Sequence, residues 1–186
     1  MNIGFAMCGS FCTFSQVFPV MEALAKEYTV TPIFSPATYT IDSRFGTAEA
    51  HIQRATQICG RAPLHTIAQV EPIGPKQLLD ALVIAPCTGN TLAKLAHSIA
   101  DTAVTMAAKS HLRNGRPILI AVSTNDALAG AGENIGKLFS RKHYYFVPFG
   151  QDDAVSKPTS MVADFQKIPE ALKLALAGKQ IQPVLL

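Results

Sequence analysis

The sequence predicts a doubly wound α/β fold on a parallel sheet, and three observations carry the prediction. Apolar runs that end in small polar loops alternate with stretches of helical periodicity. The run 82–86 is apolar throughout and ends at Pro86, as a strand buried on both faces does. The N-terminal 2–7 run passes through Cys8-Gly9-Ser10 into a helical pattern, the strand–turn–helix opening of such folds.

Each element follows from local pattern. After the first strand, Phe14, Val17, Phe18, Met21, Leu24 and Ala25 recur at helical spacing, with Thr13 or Ser15 as the cap. The β-branched run 29–34 is a second strand, ending at Ser35-Pro36. Residues 37–45 read as irregular. A helix over 47–58 buries Ile52, Ala55 and Ile58 and stops at Gly60. Residues 63–67 form a weak strand, 71–75 a rigid loop, and 76–79 about one helical turn. The central strand follows, then a helix through Leu92, Leu95, Ala96, Ile99 and Ala100. A second helix starts at Asp101, carries Val104, Ala107, Ala108 and Leu112, and ends at Asn114-Gly115. Residues 117–122 are another buried strand, opened by Pro117 where no ladder donor is lost. A helix near 134–139, a last strand at 144–147, a long loop 149–158 and a terminal helix around 161–176 complete one domain over 1–186, with 149–186 appended.

Bulk composition excludes several partners. The 186 residues are 48% apolar and only 16% charged, which points to surface covered by other copies of the chain. The net charge of +3 is scattered, with no aromatic-and-basic interleaving, so nucleic acid is not expected as a partner. No apolar run approaches the roughly 18 residues of a membrane span, and no basic segment precedes the first apolar run as in a signal peptide. Cys8, Cys12, Cys59 and Cys87 lack metal-site spacing and read as reduced cytosolic thiols, so no metal is expected.

Four loops carry chemistry, all where ligands bind in open α/β sheets, beyond the carboxyl ends of strands. Gly9, Ser10 and Thr13 offer a tight turn and hydroxyls suited to an anion, or form an ordinary βα turn. The loop lacks the glycine fingerprint of dinucleotide folds and the lysine of a P-loop. Pro86, Cys87, Thr88, Gly89 and Asn90 open a helix with small polar groups. Cys87 lacks an activating His or acid, so small size explains it better than nucleophilic catalysis. Ser123-Thr124-Asn125-Asp126 borders the same crevice or caps the next helix. Gly150-Gln151-Asp152-Asp153 with Lys157 is a substrate loop or a solvated one. His65 is the only histidine placed near the crevice.

The stretch Ala85-Pro86-Cys87-Thr88-Gly89-Asn90-Thr91-Leu92 resembles the PASANT motif of the homo-oligomeric flavin-containing Cys decarboxylases, a flavoprotein family. Ile99-Ala100-Asp101, the turn 7–10 and Ser35 fit the same pattern, and the resemblance spans about 3–146. It implies a three-layer αβα sandwich, Rossmann-like or flavodoxin-like, that binds FMN. The phosphate would lie near Gly9-Ser10, with Ser35 and the 86–90 loop also in contact. It implies trimer-based assembly. Residues 104–109, 123–128 and 145–153 are similar to one branch of the family. In that branch the flavoprotein-like chain works with a second chain, an A subunit resembling an NAD(P) dehydrogenase. The branch implies oxidation of a dihydrodipicolinate-type ring to the aromatic diacid, in the cytoplasm of the mother cell of a sporulating bacterium.

Two departures shape the functional expectation. The decarboxylases carry a catalytic histidine where this chain reads Glu71-Pro72-Ile73-Gly74, and a PxMNxxM clamp where it reads Ser123 to Leu128. Glu71 and Asp126 are the acid–base candidates by position, and Ser10, Ser35, Thr88, Asn90 and Ser123 the hydrogen-bonding residues. The competing expectations are a stand-alone FMN-dependent decarboxylase or prenyltransferase, and a non-catalytic scaffold for the A subunit.

Overall fold

The computed structural model describes residues 1–186. Five parallel strands form the centre: β1 (Asn2–Met7), β2 (Thr29–Phe34), β3 (Ala81–Cys87), β4 (Ile118–Thr124) and β5 (Tyr144–Phe146). They lie in the spatial order β2-β1-β3-β4-β5. β1 pairs with β2 from Asn2↔Thr29 to Met7↔Phe34, and with β3 from Ile3↔Ala81 to Ala6↔Ile84. The connection reverses direction between β1 and β3, and that switch point opens a crevice at the strands' carboxyl ends. β3 is buried at every residue, as its unbroken apolar run requires.

Helices cover the sheet: α1 (Phe14–Glu27), α2 (Pro36–Thr40), α3 (Ala48–Cys59), α4 (Ile67–Val70), α5 (Gly89–Ala96), α6 (Ala103–Leu112), α7 (Gly132–Phe139) and α8 (Ile168–Leu176). α1 buries Phe14, Val17, Phe18, Met21 and Leu24, the stripe its spacing foretold. One continuous core joins both faces of the sheet, with Phe5, Phe18, Phe34, Phe146, Phe149 and Phe165 among its largest members. No helix is long and apolar enough to cross a membrane.

The structure corrects several expectations. The sheet is mixed: β6 (Phe149–Gly150) and β7 (Met161–Ala163) add antiparallel, β7 pairing with Ser123 and Thr124 of β4. The loop after residue 149 therefore begins as a strand, and the terminal helix starts at Ile168, not 161. Residues 37–45 hold α2, because Ser35 caps Pro36 in the first turn. The 63–67 strand reduces to a single bridge, Ile33↔Leu64; a Thr66–Gln69 capping box turns the chain into α4 instead. A 3-10 turn over Glu71–Ile73 follows, and no helix forms at 76–79. α5 stops at Ala96, and α6 opens later than expected, on a Thr102–Thr105 capping box.

Candidate functional site

The switch point holds a cleft of about 980 Å³. Three βα loops and the β6–β7 hairpin build it. After β1, Cys8 N–H donates to the Pro86 carbonyl at 3.2 Å, tying the first loop to the end of β3. Ser10 N–H then donates to Cys8 O at 2.8 Å, and Thr13 Oγ1 donates to Ser10 O at 2.8 Å. Thr13 thus spends its hydroxyl on the turn and does not cap α1. Gly9 is needed for close approach: a Cβ there would stand 3.1 Å from Ala37 Cβ on α2.

The loops after β1 and β4 meet directly, Ser10 Oγ lying 2.8 Å from Ser123 Oγ. The N-cap of α5 is Thr88, in extended conformation, but its side chain makes no capping bond. The positive end of α5 therefore faces the cleft without a side-chain acceptor from its own cap. Asn90, exposed, presents its amide beside it. This set of hydroxyls and a helix N-terminus suits an anionic group more than a cation.

Gly89 decides what else stands there. A Cβ at 89 would lie 2.7 Å from Thr124 Oγ1 and 2.8 Å from Asp126 Oδ1. Thr124 donates to Asp126 in a short hydrogen bond, which aims the carboxylate at the start of α5. The hairpin supplies the cleft's only cation. Lys157 Nζ pairs with Asp152 Oδ2 at 3.2 Å. A hydrogen bond from Ser160, with help from Lys157, holds the Asp152 carboxyl below the usual carboxylate range.

Of the residues singled out from sequence, Gly9, Ser10, Thr13, Thr88, Asn90, Ser123 and Asp126 line this cleft. Four others do not. Cys87 and Pro86 belong to β3, and the Cys87 thiol is fully buried, with burial pushing its pKa well up. Burial likewise pushes the Cys8 thiol to about 11, while Thr91 Oγ1 donates to its sulfur at 3.2 Å. Ser35 is buried as the cap of α2: its Oγ accepts from Thr38 N–H at 3.2 Å, and Thr38 Oγ1 donates to Met7 O at 3.0 Å. Glu71 is exposed on the 3-10 turn, which packs toward α6 through buried Ile73, with Gly74 against the Ser110 backbone. It is therefore not brought to the cleft of its own chain. His65 stacks on Tyr39, ring centroids 3.7 Å apart, and also lies outside. Sequence reasoning missed Gln16, Phe45, Ser160 and Val162 in the lining. Ser160 and Val162 arrive through β7, whose pairing with β4 has no local sequence signal.

The sequence and the fold have counterparts among known proteins. The profile of the family described as Flavoprotein matches residues 1–157. The chain belongs to that family. It is 42% identical over 185 residues to the B subunit of dipicolinate synthase from Bacillus subtilis (strain 168), covering 99% of this chain and 92% of the relative. The crystal structure of the corresponding B subunit from Bacillus halodurans C superposes with a TM-score of 0.91 at 43% identity, over 100% of this chain and 95% of that one. The FMN-dependent cysteine decarboxylase SpaF shares the fold, with a TM-score of 0.64 at 22% identity over 95% of this chain and 94% of its own.

Proposed function

We propose that this protein is the B subunit of dipicolinate synthase, working with an NAD(P)-dependent A subunit on a dihydrodipicolinate-type ring. The observation that carries the reading is similarity that runs end to end: 42% identity to the B. subtilis protein over 99% of the chain. It includes the hairpin that reaches beyond the family profile and completes the cleft wall. Aromatising such a ring removes a hydride, which the A subunit's nicotinamide accepts, and a proton, which needs a base.

The cleft supplies groups for each task. Ser10, Ser123 and the first turn of α5 receive an anionic group, a substrate carboxylate or the phosphate of a flavin. Thr88 and Asn90 donate along its flank, and Lys157 meets a second carboxylate by exchanging away from Asp152. In this reading Asp126 takes the proton. Thr124 holds its carboxylate in one orientation, so little ordering is left to the moment of reaction.

The lining fits FMN in size and in chemistry: the cleft of about 980 Å³ offers hydroxyls and an uncapped helix N-terminus for a phosphate. Bound there, a flavin would supply a relay that passes the ring's hydride on to the A subunit's nicotinamide. The test is product formation by the mixed A and B subunits, followed by ultraviolet absorbance of the aromatic diacid. Asp126→Asn is expected to lower kcat on the order of 10²-fold with KM little changed. Unchanged kcat overturns the role of Asp126. Full activity of the A subunit without this chain overturns the function.

A further inference from the structure

The cleft lies at the N-terminal end of α5, and a second concavity lies at the other end. It encloses about 410 Å³ and shares no residue with the cleft. Leu95, Leu112 and Tyr144 give it an apolar lining, and Lys109, Arg113 and Arg141 bring three cations to it. No carboxylate lines it, and none of the three cations has an acidic partner anywhere in the structure. The nearest acid in sequence, Asp101, gives both its oxygens to Lys94 Nζ, each at 2.9 Å.

These charges are arranged rather than scattered. Lys109 and Arg113 stand one turn apart on the last turn of α6 and just beyond it, a like-charge spacing that by itself disfavours the helix. Arg141 comes from the loop after α7 and is fixed before any ligand arrives. Its Nη1 donates to Leu95 O at 3.0 Å and its Nη2 to Ala96 O at 2.6 Å. The turn that follows α5 is held in place too. Ser98 adopts a left-handed backbone (φ 59), and Ile99 N–H returns to Lys94 O at 2.9 Å. That turn leaves Ile99 exposed at the rim.

We propose that this pocket binds a small organic dicarboxylate. Its flat apolar body rests on Leu95, Leu112 and Tyr144. One carboxylate meets Lys109 and Arg113, and the other meets Arg141. Cations drawn from two separate elements favour two anionic groups over one, and the apolar lining favours an organic ligand over inorganic phosphate.

Isothermal titration of the full chain with isophthalate, benzoate and inorganic phosphate tests this. Isophthalate is expected to bind about tenfold more tightly than benzoate or phosphate. The double variant Lys109→Met/Arg113→Met, checked for an unchanged melting temperature, is expected to weaken isophthalate by at least about tenfold. Lys109→Arg is expected to retain it. The cleft, which takes a diacid ring in the proposed function, gives a separate binding step, expected to be lost in Ser10→Ala/Ser123→Ala while the step belonging to this pocket is retained. Equal affinity for isophthalate and benzoate overturns the proposal, as does a single binding step that survives the double variant but disappears with the cleft variant. Turnover by the A and B mixture is a separate readout, so failure here leaves the cleft's assignment standing.

Discussion

A missing methyl group at residue 89 sets the chemistry at the mouth of α5. Glycine at the first turn of a helix normally forfeits up to about 1 kcal/mol relative to alanine. Here it clears the space that Thr124 and Asp126 occupy, where a Cβ would meet oxygens at 2.7 and 2.8 Å. Overpacking of that kind costs about 1–3 kcal/mol unless the neighbours move, which outweighs the helix gain. The cheaper response is for the Thr124–Asp126 pair to swing away. Gly89→Ala is therefore expected to leave the melting temperature within a few degrees of the parent while product formation by the A and B mixture falls toward that of Asp126→Asn. Full turnover in Gly89→Ala would show that the carboxylate's place beside α5 is immaterial. The two buried thiols nearby play a different part. With Cys8 and Cys87 both pushed up by burial, neither is a ready nucleophile at neutral pH, and their small size lets the ends of β1 and β3 pack closely.

Among the elements, α6 carries a titratable device. His111 sits in its last turn, fully buried, with Nε2 3.1 Å from the Pro117 carbonyl at the entry to β4. Its Nδ1 has no partner. Burial, aided by repulsion from Arg116 and opposed by the Pro117 bond and Asp80, lowers its pKa to about 4. The folded protein thus resists a proton that the unfolded chain takes up near 6.5. His111 costs nothing above that pH. Stability is lost as pH falls from about 6.5 toward 4, by up to roughly 3 kcal/mol. Melting temperature measured across this range should fall steeply for the parent and less for His111→Gln, which keeps a donor for Pro117 but cannot titrate there. Identical slopes would remove His111 as the cause. His51, also lowered by burial, adds to the slope of both proteins alike. Most of the longer elements were legible because each buries a regular stripe: β1 to β4, α1 and α6 follow directly from spacing, and α3 does in extent, although it buries Ala48 and His51 more fully than the expected Ile52 and Ile58. The cleft was legible to the same extent, since three of its loops end such strands. Short elements escaped. α2 and α4 are five and four residues long, too brief for periodicity, though Ser35-Pro36 and Thr66-Gln69 were cap signals in plain view. β6 and β7 depend on pairing with distant residues, and with them went Ser160 and Val162 in the cleft wall.

At the scale of the whole molecule, the composition and one exposed apolar group bear on assembly. Only 16% of residues are charged, and mean hydropathy is +0.22. Three of the exposed apolar side chains lie on the α2–α3 loop and α4, where Ile41, Phe45 and Ile67 stand 47%, 46% and 40% exposed. Phe45 also lines the cleft, with the Arg44 guanidinium 4.8 Å from its ring centroid. A second copy seated on this face would bury the apolar group and close the open side of the cleft at once. Stable interfaces bury about 800 Å² on each partner, more than three side chains alone provide, so the contact must extend along the loop and α4. We propose a trimer closed head to tail, in which each cleft is walled on one side by its neighbour. Light scattering on the eluted protein should give three times the 19.9 kDa chain mass. Phe45→Asp places a charge in that contact and beside the cleft. It should shift the mass toward a single chain and, in the same preparation, lower turnover with the A subunit. A parent protein that runs as one chain overturns the assembly. A Phe45→Asp variant that remains trimeric moves the interface elsewhere on the surface.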